Sequence, residues 1–344
     1  MIKVMVADDS AVARVLLVQL LSKHGAFEIA GAAEDGEVAV AMAERVKPDV
    51  ILMDVYMPRL NGIEATRRIM ETRPTPIVMT SASFAENETA MTFAALEAGA
   101  LAIVGKPVEP ANPTFARSVD QMMKTLKTMA EVRVVRRWPK RAALAPAAAP
   151  VATDRHVKAV AIGVSTGGPK VLAEILGSLP ADLSAPIFVV QHMAHGFVDG
   201  LARWLERKSK LRVKPATDEE WTRPGTVYIA PDDKHFGVDG GGRVRLAVAE
   251  PENGFCPSAS YLFRSVATAY GASALGALLT GMGTDGASGL LELRRAGGMT
   301  VVQDDATCIV YGMPGEAVRI GAAEQILPPD KIAELICSLA RARH

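Results

Sequence analysis

Short apolar runs alternate with amphipathic stretches along most of the chain. In the first third, apolar runs over residues 2–7, 28–32, 48–53, 77–80 and 101–105 predict strands. Helices are predicted after Ser10 through Leu21, with Val12, Val15, Leu16 and Leu20 as the apolar face, and over 37–45. A helix over 114–135 carries Phe115, Val119, Met122, Leu126 and Met129 on one stripe, which reads as a docking surface. A basic run, Arg136 to Arg141, and an Ala/Pro tract over 142–152 then hold too few large apolar groups to pack, so a linker is predicted near 137–156. Beyond it, strands are predicted over 157–164, 185–191, 211–215, 225–230 and 274–280, and helices over 170–177, 201–208 and 258–270. Pro169 opens the first of these helices, and Asp239-Gly240-Gly241-Gly242 marks the turn of a hairpin over 235–248. Strands alternating with helices give an α/β chain of two doubly wound domains, whose ligands sit at the carboxyl ends of parallel strands.

Composition narrows the classes. Residues 1–107 carry 10 basic and 14 acidic groups, 108–157 carry 9 and 4, and 158–344 carry 19 and 20, so the basic excess falls in the linker region. That excess lacks interleaved aromatics, which argues against nucleic acid as a partner. Three widely spaced cysteines, Cys256, Cys308 and Cys337, offer no zinc spacing and suggest a reducing compartment. With no charged-then-apolar leader and no run of spanning length, a cytoplasmic protein is expected.

The strand ends carry the candidate chemistry. In the first domain Asp8, Asp9, Asp54, Ser81 and Lys106 fall at one sheet edge. Three carboxylates there repel unless a cation joins them, and a small set of hard oxygen ligands suits Mg²⁺. An Asp beside Mg²⁺ and a Lys is equipped to accept a phosphoryl group, to which a nearby Ser can respond. In the second domain Gly163-Val164-Ser165-Thr166-Gly167-Gly168-Pro169 forms a glycine-rich strand-to-helix turn. Taken alone it could present a nucleophile, cradle a phosphate, or merely cap its helix. Two further strands end on His192 and on Gly281-Met282-Gly283-Thr284-Asp285-Gly286. Serine, histidine and aspartate are the nucleophile, base and orienting acid of acyl transfer. The alternatives are a metal pair of His192 with His195, and an Asp285 that only caps its helix. The order Ser, His, Asp departs from that of the α/β-hydrolases.

Residues 1–125 resemble the response-regulator receiver domain through the acidic pair, Asp54 with Met57-Pro58 and Asn61-Gly62, Ser81, and Lys106-Pro107. The resemblance implies a flavodoxin-like fold, Asp54 as phosphoacceptor, Asp8 and Asp9 with Asp54 as Mg²⁺ ligands, and Ser81 and Lys106 as switch residues. Ile103 stands where receivers often carry an aromatic. Residues 158–341, in a domain over 157–344 that follows a helix end and linker over 126–156, resemble the chemotaxis protein-glutamate methylesterases. The motifs are residues 161–169, Gln191-His192-Met193, Tyr228-Ile229-Ala230-Pro231 with Lys234-His235, residues 279–286 and Gly312-Met313-Pro314. This implies a Rossmann-like hydrolase domain with a hairpin insertion, in which Ser165, His192 and Asp285 are catalytic and Thr166 and the Met282 backbone support the oxyanion. No cofactor is expected for the hydrolase. The implied function is removal of methyl groups, with possible glutamine deamidation, from chemoreceptor helices after phosphorylation by a histidine kinase. The rival is a catalytically weak adaptor on the same receptors. Cys256 and Ser260 replace a basic and an acidic residue common in this family, and a role in choosing the receptor is expected of them.

Overall fold

The computed structural model describes residues 1–81, 93–107, 115–132, 134, 155–252 and 254–340. The chain divides into two compact units, Met1–Ala147 and Ala148–His344.

The first unit holds five parallel strands, β1 Ile2–Ala7, β2 Phe27–Ala33, β3 Val50–Asp54, β4 Ile77–Ser81 and β5 Ala102–Gly105. Their order, β2-β1-β3-β4-β5, is the flavodoxin-like one, in which the carboxyl ends of β1 and β3 flank the switch point. Helix α1, Ala11–Lys23, starts where Ser10 Oγ accepts the Ala13 N–H at 3.3 Å. It buries Leu17 and Leu21, whereas Val12 is 81 % and Val15 56 % exposed, so the face expected from the sequence is the wrong one. Apolar residues run almost all round α1, and their periodicity therefore selects no face. Helices α2, Gly36–Val46, and α3, Gly62–Thr72, are capped by Asp35 and Asn61. Helix α4, Phe115–Glu131, fully buries Met122, Leu126 and Met129, and it packs on β3, β4 and β5. Its apolar stripe is therefore core of this unit, not the docking surface expected.

The second unit is built on seven parallel strands: β6 Ala159–Val164, β7 Ile187–Gln191, β8 Arg212–Pro215, β9 Thr226–Ile229, β12 Ala274–Leu278, β13 Met299–Gln303 and β14 Gln325–Leu327. The order is β14-β13-β12-β6-β7-β9-β8. From β6 the chain first winds to one side through β7, β8 and β9, then crosses to β12 on the other. The crevice beyond the carboxyl ends of β6 and β12 is thus the switch point, where open α/β sheets bind ligands. Both strands are buried at every position, which is why they read as unbroken apolar runs. The helices are α5 Gly168–Ser178, α6 Val198–Lys208, α7 Ala259–Tyr270, α8 Ala287–Arg295, α9 Met313–Arg319 and α10 Pro329–Leu339. Strands β10 His235–Val238 and β11 Val244–Ala247 form the hairpin, and Asp239 Oδ1 accepts the Gly241 and Arg243 N–H groups in its turn. No described helix is long and apolar enough to cross a membrane.

Candidate active site

In the first unit Asp8 follows β1, Asp54 closes β3 and Lys106 follows β5. Lys106 Nζ lies 2.7 Å from both Asp8 Oδ2 and Asp54 Oδ2. One oxygen from each of Asp8, Asp9 and Asp54 falls within 4.8 Å of the others. Arg14 donates to the carbonyls of Asp8 at 2.7 Å and Asp9 at 3.0 Å, pinning the acidic loop from α1. Burial pushes the Asp54 carboxyl up to about 6; Lys106 opposes this, and the neighbouring Asp8 and Asp9 add to it. One ammonium thus leaves the carboxylates under-neutralised, and an all-oxygen donor set in this condition fits a hard divalent cation. The Ser81 backbone pairs with Gly105 at the same edge, while its side chain lies outside the described residues.

In the second unit Ser165 is the first residue after β6. Its N–H donates to Thr280 O at 3.0 Å, and its carbonyl accepts from Gly168 N at 2.9 Å and Gln191 Nε2 at 2.8 Å. The helix behind it is capped by Gly167 at φ +81°, with no side-chain cap. Ser165 is therefore not a helix cap, and the Gly168 N–H that a phosphate loop would offer is turned inward. Gly281 is held against the Ser165 side chain, for a Cβ there would stand 2.7 Å from Ser165 Cβ. This close approach needs a residue without a side chain at position 281. Thr166 adjoins Ser165, and its carbonyl accepts from Thr280 Oγ1 at 2.9 Å.

His192 follows β7, the strand next to β6, and its N–H donates to Val164 O at 3.0 Å. Its Nε2 lies 3.0 Å from Asp285 Oδ2, and Phe255 stacks on the ring at 4.2 Å and 10°. Both ring nitrogens are buried: Nδ1 has no hydrogen-bond partner among the described residues, and Nε2 meets Asp285 Oδ2 in distance but not in hydrogen-bond angle. Asp285 is fully buried and caps nothing in its own helix, since the N-cap of α8 is Gly286, with no side-chain cap. Its carboxylate docks instead on the N-terminus of α7. Oδ1 accepts from Ser258 Oγ at 2.8 Å and Ser260 N at 3.2 Å, and Oδ2 from Ala259 N at 2.7 Å. Burial would raise its pKa, but the His192 bond and charge, with the Ala259 and Ser258 donors, hold it well below the usual carboxylate range. His195 goes elsewhere: its Nε2 faces Asp233 Oδ2 at 3.1 Å, so the two histidines serve different carboxylates.

Ser165, His192 and Asp285 are thus gathered at the switch point. Gln191, Phe255, Ser258 and Thr280 complete the surroundings, and sequence reading gave Gln191, Ser258 and Thr280 no role. Thr280 Oγ1 also accepts the N–H groups of Ile309 at 3.1 Å and Val310 at 3.0 Å, tying the turn after β12 to the loop after β13. Ser260 is buried, and its Oγ accepts from Gly286 N at 2.8 Å. It supports Asp285 from beneath and faces no substrate, contrary to the role expected of it.

Fold and site define the class: a receiver unit joined to a doubly wound α/β unit with serine, histidine and aspartate at its switch point. The CheB methylesterase family model matches residues 160–336, and the response regulator receiver domain model matches residues 4–114. Protein-glutamate methylesterase/protein-glutamine glutaminase 4 of Geobacter metallireducens is 47 % identical over 99 % of both chains. The like-named protein 3 of Anaeromyxobacter dehalogenans is 48 % identical over 97 % of this chain and 98 % of its own. The CheB methylesterase catalytic domain of Thermotoga maritima matches with 40 % identity and a TM-score of 0.52, covering 53 % of this chain and 98 % of that one. The chain belongs to the CheB family of receiver-coupled methylesterases.

Proposed function

We propose that this chain hydrolyses methyl esters of glutamate side chains on chemoreceptor helices, at a rate set by phosphorylation of Asp54. Ser165 Oγ attacks the ester carbonyl carbon while its proton passes to His192. The nitrogen that takes it is Nδ1, because Nε2 is the one that faces Asp285 Oδ2, at 3.0 Å. The backbone N–H groups of Thr166 and Met282 receive the oxyanion. Collapse breaks the C–O bond to the leaving group, which departs as methanol with the proton from His192. Water then attacks the acyl-serine, returns a proton through Nδ1, and frees the glutamate. Deamidation of glutamine, named for the relatives, uses the same acyl-enzyme with ammonia as leaving group.

One observation carries this reading: an Asp285 carboxylate with both oxygens engaged by the start of α7 stands 3.0 Å from His192 Nε2, while the opposite ring nitrogen is buried with no partner among the described residues. A mere adaptor on receptors has no use for such an arrangement. Residues 1–125 act as the receiver domain, 126–156 as helix end and linker, and 157–344 as the catalytic domain. In the receiver Asp8, Asp9 and Asp54 would hold Mg²⁺, which when bound neutralises charge on the incoming phosphoryl oxygens. Lys106 balances the remainder, and Ser81 responds to the new phosphate. A histidine kinase is the phosphodonor, and the setting is the cytoplasm. The test is rapid acid quench of the full chain with a methylated receptor fragment, followed by mass spectrometry of the Ser165 peptide. An acyl adduct on Ser165 is expected; turnover through an adduct on any other residue would contradict the assignment.

A further inference from the structure

His235 lies at the start of β10 and is 2 % exposed, yet the reaction as described gives it no part. Both its nitrogens are committed. Nε2 stands 3.0 Å from the Glu250 carbonyl, which can only accept, so the proton is on Nε2. Nδ1 is therefore an acceptor, and the Ser258 N–H donates to it at 3.3 Å. The ring also stacks on Tyr261, in the first turn of α7, at 4.7 Å and 18°.

Ser258 is the N-cap of α7 and is fully buried. At a helix start its N–H has no partner within the helix, and a buried N–H left unpaired is destabilising. His235 supplies the missing acceptor. The same residue's Oγ donates to Asp285 Oδ1, and the next two N–H groups complete the carboxylate's cradle. A shift of the Ser258 backbone therefore displaces three of the four donors that orient Asp285; His192 is the fourth.

We propose that His235 is a positioning residue for ester hydrolysis, holding Asp285, and through it His192, by way of Ser258. The inference rests on the reading of Asp285 as the orienting acid. Three substitutions in the full chain separate a positional from a structural role. His235→Asn places an acceptor near the position of Nδ1. His235→Gln places its amide near Nε2 and leaves nothing for Ser258. His235→Phe keeps the stack on Tyr261 and removes both polar contacts. Methanol release from a methylated receptor fragment gives kcat and KM, and a thermal melt gives stability. The Gln and Phe variants should lose about tenfold or more in kcat, with KM within about twofold. The Asn variant should stay within about threefold of the parent, even where its melting temperature falls as far as that of the Phe variant. In an Asp285→Asn background, His235→Phe should cost less than about twofold, because the group it positions no longer acts.

Equal losses for Asn and Phe, or losses that add in the double variant, would overturn the proposal. Asp285→Asn at the parent rate would remove the orienting acid itself, and the role of His235 with it. A slow Asp285→Asn beside a fast His235→Phe would remove the role of His235 alone.

Discussion

The residues that matter most here are carboxylates in opposite electrostatic situations. Asp285 is surrounded by donors and is held ionised. Asp54 is buried beside two other acids with one ammonium to share, and its carboxyl is pushed up to about 6 from an ordinary value of 3.8. A carboxyl raised in the folded state costs stability once ionised: the penalty is absent below about pH 4, grows between 4 and 6, and is complete above 6. With Mg²⁺ chelated, Asp54→Asn should therefore stabilise the first unit at pH 7.5 by about 1–3 kcal/mol, part of the gain being lost with the Lys106 bond. The advantage should vanish near pH 4. Hydrogen exchange of the β1 and β3 amides measures it, and an Asn variant less stable at pH 7.5 than at pH 4, relative to the parent, would contradict the electrostatic account. At this scale the sequence revealed Asp54, Ser165, His192 and Asp285, because each ends an apolar strand and parallel sheets gather such ends. It showed no role for Ser258 and none of the contacts of Phe255 and His235, which join segments with no shared periodicity.

Elements follow the same division between pattern and packing. Strands β3, β6, β7 and β12 were legible because burial on both faces leaves an unbroken apolar run. Helix faces were less so. In α1 apolar residues surround the helix, and in α4 the stripe was real but its destination was not visible. Since Leu126 is fully buried against the strands of its own unit, Leu126→Ala should lower that unit's stability by about 2–5 kcal/mol. Denaturant unfolding of the full chain checks this, and a change under about 0.5 kcal/mol would restore the surface reading of the stripe. Beyond residue 286 the sequence pattern predicts no elements. Yet β13 supplies Gln303, whose Oε1 accepts from Thr280 N at 2.9 Å and so steadies the turn that faces Ser165. The cradle of Asp285 was hidden for a related reason. An Asp at a helix start suggests a cap on its own helix, and only the packing of α8 against α7 turns it to the other helix's N-terminus.

For the whole molecule, two parallel sheets present chemistry at their carboxyl edges, phosphoryl acceptance in one unit and acyl transfer in the other. Coupling between them need be only modest, since about 1.4 kcal/mol of differential stability shifts a population tenfold. The central claim is that Ser165 performs the hydrolysis and Asp54 governs it. Methanol release from methylated chemoreceptor membranes tests it most directly, with the parent chain, Ser165→Ala and Asp54→Asn compared in Mg²⁺ with and without a small phosphodonor. The account predicts release by the parent that rises with phosphodonor, no release by Ser165→Ala under either condition, and unchanged basal release by Asp54→Asn that no longer responds. Substantial turnover by Ser165→Ala, or a phosphodonor response that survives Asp54→Asn, would contradict it.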